Sequence, residues 1–166
     1  MIINRTWAMP NSNTFEIKQI RNIILKYKNG LTIDPFSRDS KLADITNDID
    51  PECNSDYHMD ALDFLRKFEN CSVDTVLYDP PYSVRQVSEC YKKLGKSVNM
   101  ETTSALYWTK QKQEISRIVK PNGIVICFGW NSGGIGSNLG FEIIEILLVA
   151  HGGWHNDTIV TVCKKC

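Results

Sequence analysis

The sequence predicts an α/β fold whose core is a doubly wound, mostly parallel sheet closed by an antiparallel C-terminal hairpin. Three observations predict it. A strand-like run, an acidic residue and a helical stretch recur three times, around Asp34, Asp48 and Asp60, the rhythm of strands alternating with helices. The alternating run Val73 to Tyr78 stops dead at Pro80 and Pro81, as a buried strand does when it delivers a polar residue to the sheet edge where such folds bind ligands. Finally, Ile143 to Ala150 and Thr158 to Cys163 are joined by residues 151–157 alone, too short a connection for a crossover, so that pair is expected to be antiparallel.

The 166 residues suit one domain spanning 1–166 with a sizeable core. No charge-free apolar stretch is long enough to span a bilayer, and Met1 to Asn13 lacks the apolar core of a signal peptide; a cytoplasmic location without a membrane partner is expected. Cys53, Cys71, Cys90, Cys127, Cys163 and Cys166 are scattered in the manner of reduced thiols, and Cys163-x-x-Cys166 has no second pair to complete a metal site. Net charge is zero, yet residues 34–79 carry 12 acidic and 4 basic side chains whereas 84–120 carry 8 basic and 3 acidic. The acidic half suits a cationic ligand and the basic half suits phosphates.

In chain order, Asn13 and Glu16 form a capping-box pattern ahead of Ile17, Ile20, Ile24 and Tyr27, and Asn29-Gly30 stops the run, so a leading helix over 13–29 is expected. Leu31 to Phe36 is the first strand, ending in Asp34-Pro35-Phe36-Ser37; Ala43 to Thr46 is the second, leading to Asp48 and its rival Asp50. Tyr57 to Met59 is a short third strand running into Asp60-Ala61, where Asp60 also has the position of an N-cap for a helix carrying Leu62, Leu65 and Phe68. After Tyr82 the chain is polar and basic from Ser83 to Thr103 without firm periodicity. Ser104 is a candidate cap for a helix whose Ala105, Trp108, Ile115, Ile118 and Val119 share a face, ended by Pro121-Asn122-Gly123. Gly123 to Trp130 has the composition of a central strand.

Asp79-Pro80-Pro81-Tyr82 resembles the D-P-P-Y motif of the amino-methyltransferases, and Asp34-Pro35-Phe36 resembles their cofactor motif. The order of helix, D-P-F strand, D-P-P-Y strand and closing hairpin is similar to the members with the cofactor half first, in particular the small adenine-specific DNA methyltransferases of bacteriophages and prophages. One departure stands out: the continuation Ser37 to Lys41 contains no glycine, where the family usually has small residues and glycines.

The resemblance implies a Rossmann-like methyltransferase sheet, S-adenosyl-L-methionine as cofactor and methylation of the N6 amine of adenine in DNA. RNA adenine, the N4 amine of DNA cytosine, and a catalytically silent nucleic-acid-binding subunit with the same fold stay open. An exocyclic aromatic amine is a poor nucleophile because its lone pair is spread into the ring. Acceptors at the Asp79 carboxylate and the Pro80 carbonyl, held by the fixed φ of Pro80 and Pro81, would favour the tetrahedral, positive nitrogen. Tyr82 would stack on an extruded base. The cofactor set implied is Asp34, Pro35, Phe36, Ser37, Asp48 for the ribose, and Asp60 with Ala61 for the adenine; Phe15 is either a cover for the cofactor or a staple on the leading helix. Arg85 and Lys92 are candidates for phosphate contact. Trp130 is either a wall of the base pocket or core, and His151 and Trp154 lie in the turn expected to help hold the base. With no insert large enough for a separate target-recognition domain, sequence choice would come from loops or from a homodimer.

Overall fold

The computed structural model describes residues 1–100, 102 and 104–166; Glu101 and Thr103, the latter being the end of the expected basic segment, lie outside the described residues. Among the described residues seven strands form one mixed sheet: β1 Ile2–Trp7, β2 Thr32–Asp34, β3 Ile45–Thr46, β4 Val73–Tyr78, β5 Val119–Gly129, β6 Phe141–Ala150 and β7 Thr158–Lys165. Their spatial order is β1-β6-β7-β5-β4-β2-β3. Only β7 runs antiparallel, between β5 and β6; the other pairings are parallel. The expected sheet with its closing hairpin is therefore present.

The strands bury both faces, and their alternation sorts side chains into two cores. Leu77, Ile124, Ile126 and Phe128 point to one side, where α1 (Lys18–Tyr27) packs Ile20, Ile23 and Ile24 against them. Val76, Tyr78, Val125 and Cys127 point to the other, under Phe64 and Leu65 of α2 (Ala61–Arg66) and Ile115 and Ile118 of α4 (Leu106–Ile118). Placing helices on both faces of a parallel sheet sends the carboxyl ends of β2, β3, β4 and β5 to one edge, where the connecting loops gather.

Several boundaries differ from expectation for local reasons. The capping box at Asn13 does not form: Asn11 takes both partners, accepting from the Asn13 backbone N–H at 2.8 Å and donating to the Glu16 carboxylate at 3.2 Å. Thr14–Glu16 is consequently a single 3-10 turn, and α1 begins only at Lys18. The third strand shrinks to one parallel bridge, Asn47 to Tyr57. The basic segment after Tyr82 is not a loop at its start; it forms α3 (Val84–Lys93), capped by the Ser83 hydroxyl on Gln86 N–H and buried through Val87 and Tyr91, one turn apart. The stretch 119–123, expected to end a helix, already belongs to β5, and Asn122 absorbs the irregularity at φ 64°.

β1 was not legible at all. Its residues are exposed apart from Thr6, so they show no one-sided burial. It is held by the parallel ladder to β6 and by Glu145, a buried carboxylate that accepts from Asn4 (3.0 Å), Lys26 (2.6 Å) and Tyr27 (2.6 Å). No helix among the described residues is long and apolar enough to cross a membrane.

Gly30 shows how closely α1 is joined to the sheet. Its φ is +53°, and a Cβ there would sit 2.4 Å from the Asp74 carboxyl, which accepts from Leu31 N–H and pairs with Lys120. Gly30→Ala combines left-handed strain with that clash and is expected to destabilise by more than the ~1 kcal/mol that strain alone costs; thermal unfolding measures it.

Candidate active site

The corner after β4 is built by short hydrogen bonds. Asp79 follows the last residue of β4 and accepts from the Tyr82 hydroxyl at 2.5 Å. The Tyr82 backbone N–H donates to Gln86 Oε1 at 2.6 Å, and the Trp108 indole N–H donates to the Pro81 carbonyl at 2.9 Å. Trp130, the first residue beyond β5, meets the Tyr82 ring edge to face with centroids 5.5 Å apart. Tyr82 is thus strapped across Asp79 by its hydroxyl, and Trp130 and Trp108 brace the corner from behind.

A cavity of about 780 Å³ joins this corner to the ends of the earlier strands, a size that suits a nucleoside-containing ligand. Phe15, Pro35, Phe36, Ser37, Asp48, Asp60, Ala61, Asp79, Pro80, Pro81 and Tyr82 all line it. Of the expected cofactor residues, only Asp34 does not. It is completely buried, with Oδ1 accepting from Phe36 N–H at 2.9 Å and Oδ2 without a hydrogen-bond partner. Phe15 packs on Phe128 at 4.8 Å in the core and also lines the cavity.

The carboxylates are held by local bonds that leave lone pairs for a ligand. Asp48 accepts from the N–H groups of Arg38 (3.0 Å) and Asp50 (2.9 Å). Asp60 caps α2 through Leu62 N–H and also accepts from the Tyr91 hydroxyl of α3. Sequence reasoning missed Tyr91, although its spacing of four from Val87 placed it on the same face of α3. It missed Asn47 too, whose buried amide donates to the carbonyls of Pro35 and Met59 and accepts from Met59 N–H.

The glycine-free loop keeps a glycine-like turn. Arg38 holds φ at +49°, a left-handed conformation rare for a side-chain-bearing residue. Its guanidinium lines the cavity and donates to the Ser12 carbonyl at 3.1 Å. A cationic side chain therefore stands on a turn whose backbone conformation favours glycine.

Across the corner lies a second cavity of about 350 Å³, lined by Tyr78, Pro80, Pro81, Tyr82, Trp108, Lys112, Cys127, Phe128 and Trp130. Trp130 is 43% exposed, so it is a wall of this cavity and not core. The nucleic-acid candidates divide. Arg85 and Lys92 lie exposed on α3, Arg85 paired with Glu89 at 2.8 Å, and Trp154 is fully exposed at the tip of the hairpin. His151, expected beside a base, is buried instead: one ring nitrogen lies 2.9 Å from the Ala8 carbonyl and the other 2.8 Å from the Thr158 hydroxyl. Both nitrogens are committed to bracing the hairpin against the exit of β1.

Burial pushes the Asp79 carboxyl up to about 6 from its ordinary 3.8, against the opposing pull of the Tyr82 hydroxyl, Thr14 and Arg38. A raised folded-state value means that the protonated form is favoured by folding. That contribution is complete below about 4 and is lost as pH rises through 6. Asp79→Asn, which removes the charge and keeps an acceptor for Tyr82, is therefore expected to raise the thermal midpoint at pH 7.5 and to leave it almost unchanged at pH 4. Thermal melts of both proteins at the two pH values check this.

Similar folds occur among solved structures. TrmN from Thermus thermophilus is 15% identical with a TM-score of 0.59, covering 90% of this chain and 49% of its own. The Burkholderia thailandensis 1,6-didemethyltoxoflavin-N1-methyltransferase, solved with 1,6-didemethyltoxoflavin and S-adenosylhomocysteine, is 8% identical with a TM-score of 0.59, covering 89% of this chain and 77% of its own. The PH0226 protein from Pyrococcus horikoshii OT3 is 16% identical with a TM-score of 0.53, covering 92% and 88%. This chain thus spans about half the length of TrmN. No protein-family model matches the sequence, and no curated protein matches it. What the comparisons establish is the fold, a Rossmann-like methyltransferase sheet with an antiparallel β7.

Proposed function

We propose that this protein transfers a methyl group from S-adenosyl-L-methionine to the N6 amine of adenine in DNA, as a single domain over residues 1–166. The observation that supports the reading best is the cavity of about 780 Å³ running from Asp79–Tyr82 to the loops after β2 and β3. A methyltransferase needs such a continuous path between acceptor and cofactor. The similar fold solved with S-adenosylhomocysteine supports the choice of cofactor.

The residues present fit that cofactor. Asp48 and Asp60 give the cavity an acidic lining suited to a sulfonium and to ribose hydroxyls. Arg38 would pair with the methionine carboxylate, doing by charge what the family's glycines do with backbone N–H groups. The bound cofactor would supply an electrophilic methyl carbon. The protein's own part is to position and polarise the amine. Asp79, ionised above about pH 6, and the Pro80 carbonyl would accept from the two amine protons, stabilising positive charge as the nitrogen becomes tetrahedral. The second cavity, walled by Trp108 and Trp130, would receive the extruded ring. For Asp79 to take an amine proton on the oxygen now bound to Tyr82, that hydroxyl must swing away; opening the strap would turn the Tyr82 ring toward the base.

Asp79→Ala is expected to abolish methyl transfer while leaving cofactor binding intact. Mass spectrometry of nucleosides from treated DNA, with calorimetric titration of the cofactor, checks both; retained N6-methyladenine would overturn the assignment. Arg38→Ala is expected to weaken cofactor binding about tenfold, the scale of one charge-assisted hydrogen bond, read in the same titration.

A further inference from the structure

The active edge of the sheet continues past the corner into a row of exposed indoles. β1, β6, β7 and β5 lie side by side, and the register aligns Trp7 with Ala150, Val149 with Thr158, and Ile159 with Gly129. Trp7 therefore ends β1, Trp154 tips the β6–β7 turn, and Trp130 leaves β5, all at the edge that carries Asp79. At ordinary strand spacing the row is roughly 14 Å wide. Trp7, Trp130 and Trp154 are 58%, 43% and 103% exposed. The Trp7 indole nitrogen would lie 3.4 Å from a Cβ at Gly152, so Trp7 rests against the turn that carries Trp154.

Charge indicates what this surface takes. Residues 7–13, 129–137 and 150–158, which form this part of the edge, contain no Lys or Arg. Cations are on the other flank of the corner: Arg85, Lys92, Lys93 and Lys96 in and just after α3, all exposed. A duplex binds chiefly through many phosphate contacts along its length, and the loops of this half contribute none of their own; the cations nearest them, Lys112 and Arg38, are turned onto the Gly134 and Ser12 carbonyls. Unpaired nucleotides bind by stacking on aromatic faces, with cations following the backbone. Trp130 makes the row continuous with the site, since it both lines the second cavity and belongs to the exposed edge.

We infer that the Trp7–Trp154–Trp130 edge is a stacking platform for unpaired nucleotides, so that the preferred substrate is a single-stranded or locally opened segment crossing from the indoles to the α3 cations. The inference rests on the nucleic-acid reading of the corner and narrows it. On such a substrate the base need not be pulled from an intact duplex at the enzyme's expense.

The test is binding, measured apart from methyl transfer. The full chain is titrated by fluorescence anisotropy with a labelled, unstructured oligodeoxynucleotide of roughly 12 residues and with the same strand annealed to its complement. Single strand is expected to bind more tightly, and Trp154→Ala is expected to weaken it at least about fivefold. The Trp154 side chain is fully exposed, so an unchanged thermal midpoint is expected for that variant; Trp7→Ala provides a second site. Duplex binding as tight as single-strand binding, or single-strand affinity unmoved in both variants, would overturn the inference. So would a concentration-dependent mass in light scattering that Trp154→Ala abolishes without any oligonucleotide binding, since the patch would then belong to a second copy. Tryptophan-dependent binding without methyl transfer would sustain the platform and defeat the adenine reading; methyl transfer to duplex with tryptophan-independent affinity would do the reverse.

Discussion

The geometry of this site depends on one buried side-chain amide. Asn47 has no solvent exposure, and it stitches the carbonyl of Pro35 to the carbonyl and N–H of Met59. Its own backbone N–H donates to Asp34 and its carbonyl accepts from Ser37. Three chain segments that barely qualify as strands are thereby locked at the same height. Because β2 and β3 are three and two residues long, the ladder cannot hold their ends in register by itself. With the amide removed, Pro35 and Met59 would be left with unpaired buried groups, and a penalty of that kind falls on all three loops at once. Asp34, Asp48 and Asp60 follow or precede these segments directly, so the acids keep their spacing only while the clamp holds.

The corner at Asp79 shows the opposite economy. A carboxylate beside two prolines and capped by a tyrosine is a poor choice for stability, as its upward-shifted pKa indicates. Groups that stabilise a fold are usually satisfied; groups that serve chemistry are often left under tension. Asp34 reinforces this, since a second buried carboxyl with an orphaned oxygen lies close enough to Asp79 and Asp48 to raise its own pKa further. The local concentration of negative charge is a cost of folding that a cationic ligand would relieve.

Legibility followed burial. Strands with one-sided or continuous apolar patterns, β4 to β7, could be read to within a few residues because the pattern records which side chains must leave water. The D-P-P-Y corner, Asp48 and Asp60 could be placed at the cavity because each follows a strand or bridge closely in sequence, whereas Asp34 is turned away from it. β1 could not be read, since a strand exposed on both faces obeys no burial period, and its partner Glu145 is distant in the chain. Asn47 and Tyr91 were hidden for a related reason: each matters through contacts across loops that the sequence does not announce. His151 misled because a histidine in a glycine-rich turn resembles a ligand-facing residue, whereas here the exit of β1, itself unforeseen, takes up its ring. Arg38 carried a signal that was read only in part. The missing glycine was visible, but the backbone adopts the glycine conformation anyway and adds a charge.

β1 also bears on the order in which the molecule is completed. Residues 2–7 pair with residues 145–150 across almost the entire chain, so this ladder closes one of the longest loops available and gains nothing until the C-terminal hairpin exists. This ribbon therefore cannot dock before the hairpin does. Until it does, the outer side of β6 stands open, as does the carboxylate of Glu145 that Asn4 helps to satisfy. Docking of this six-residue ribbon brings Trp7 against Gly152 and the Ala8 carbonyl against His151, so the hairpin takes its fixed posture from a strand far away in the sequence.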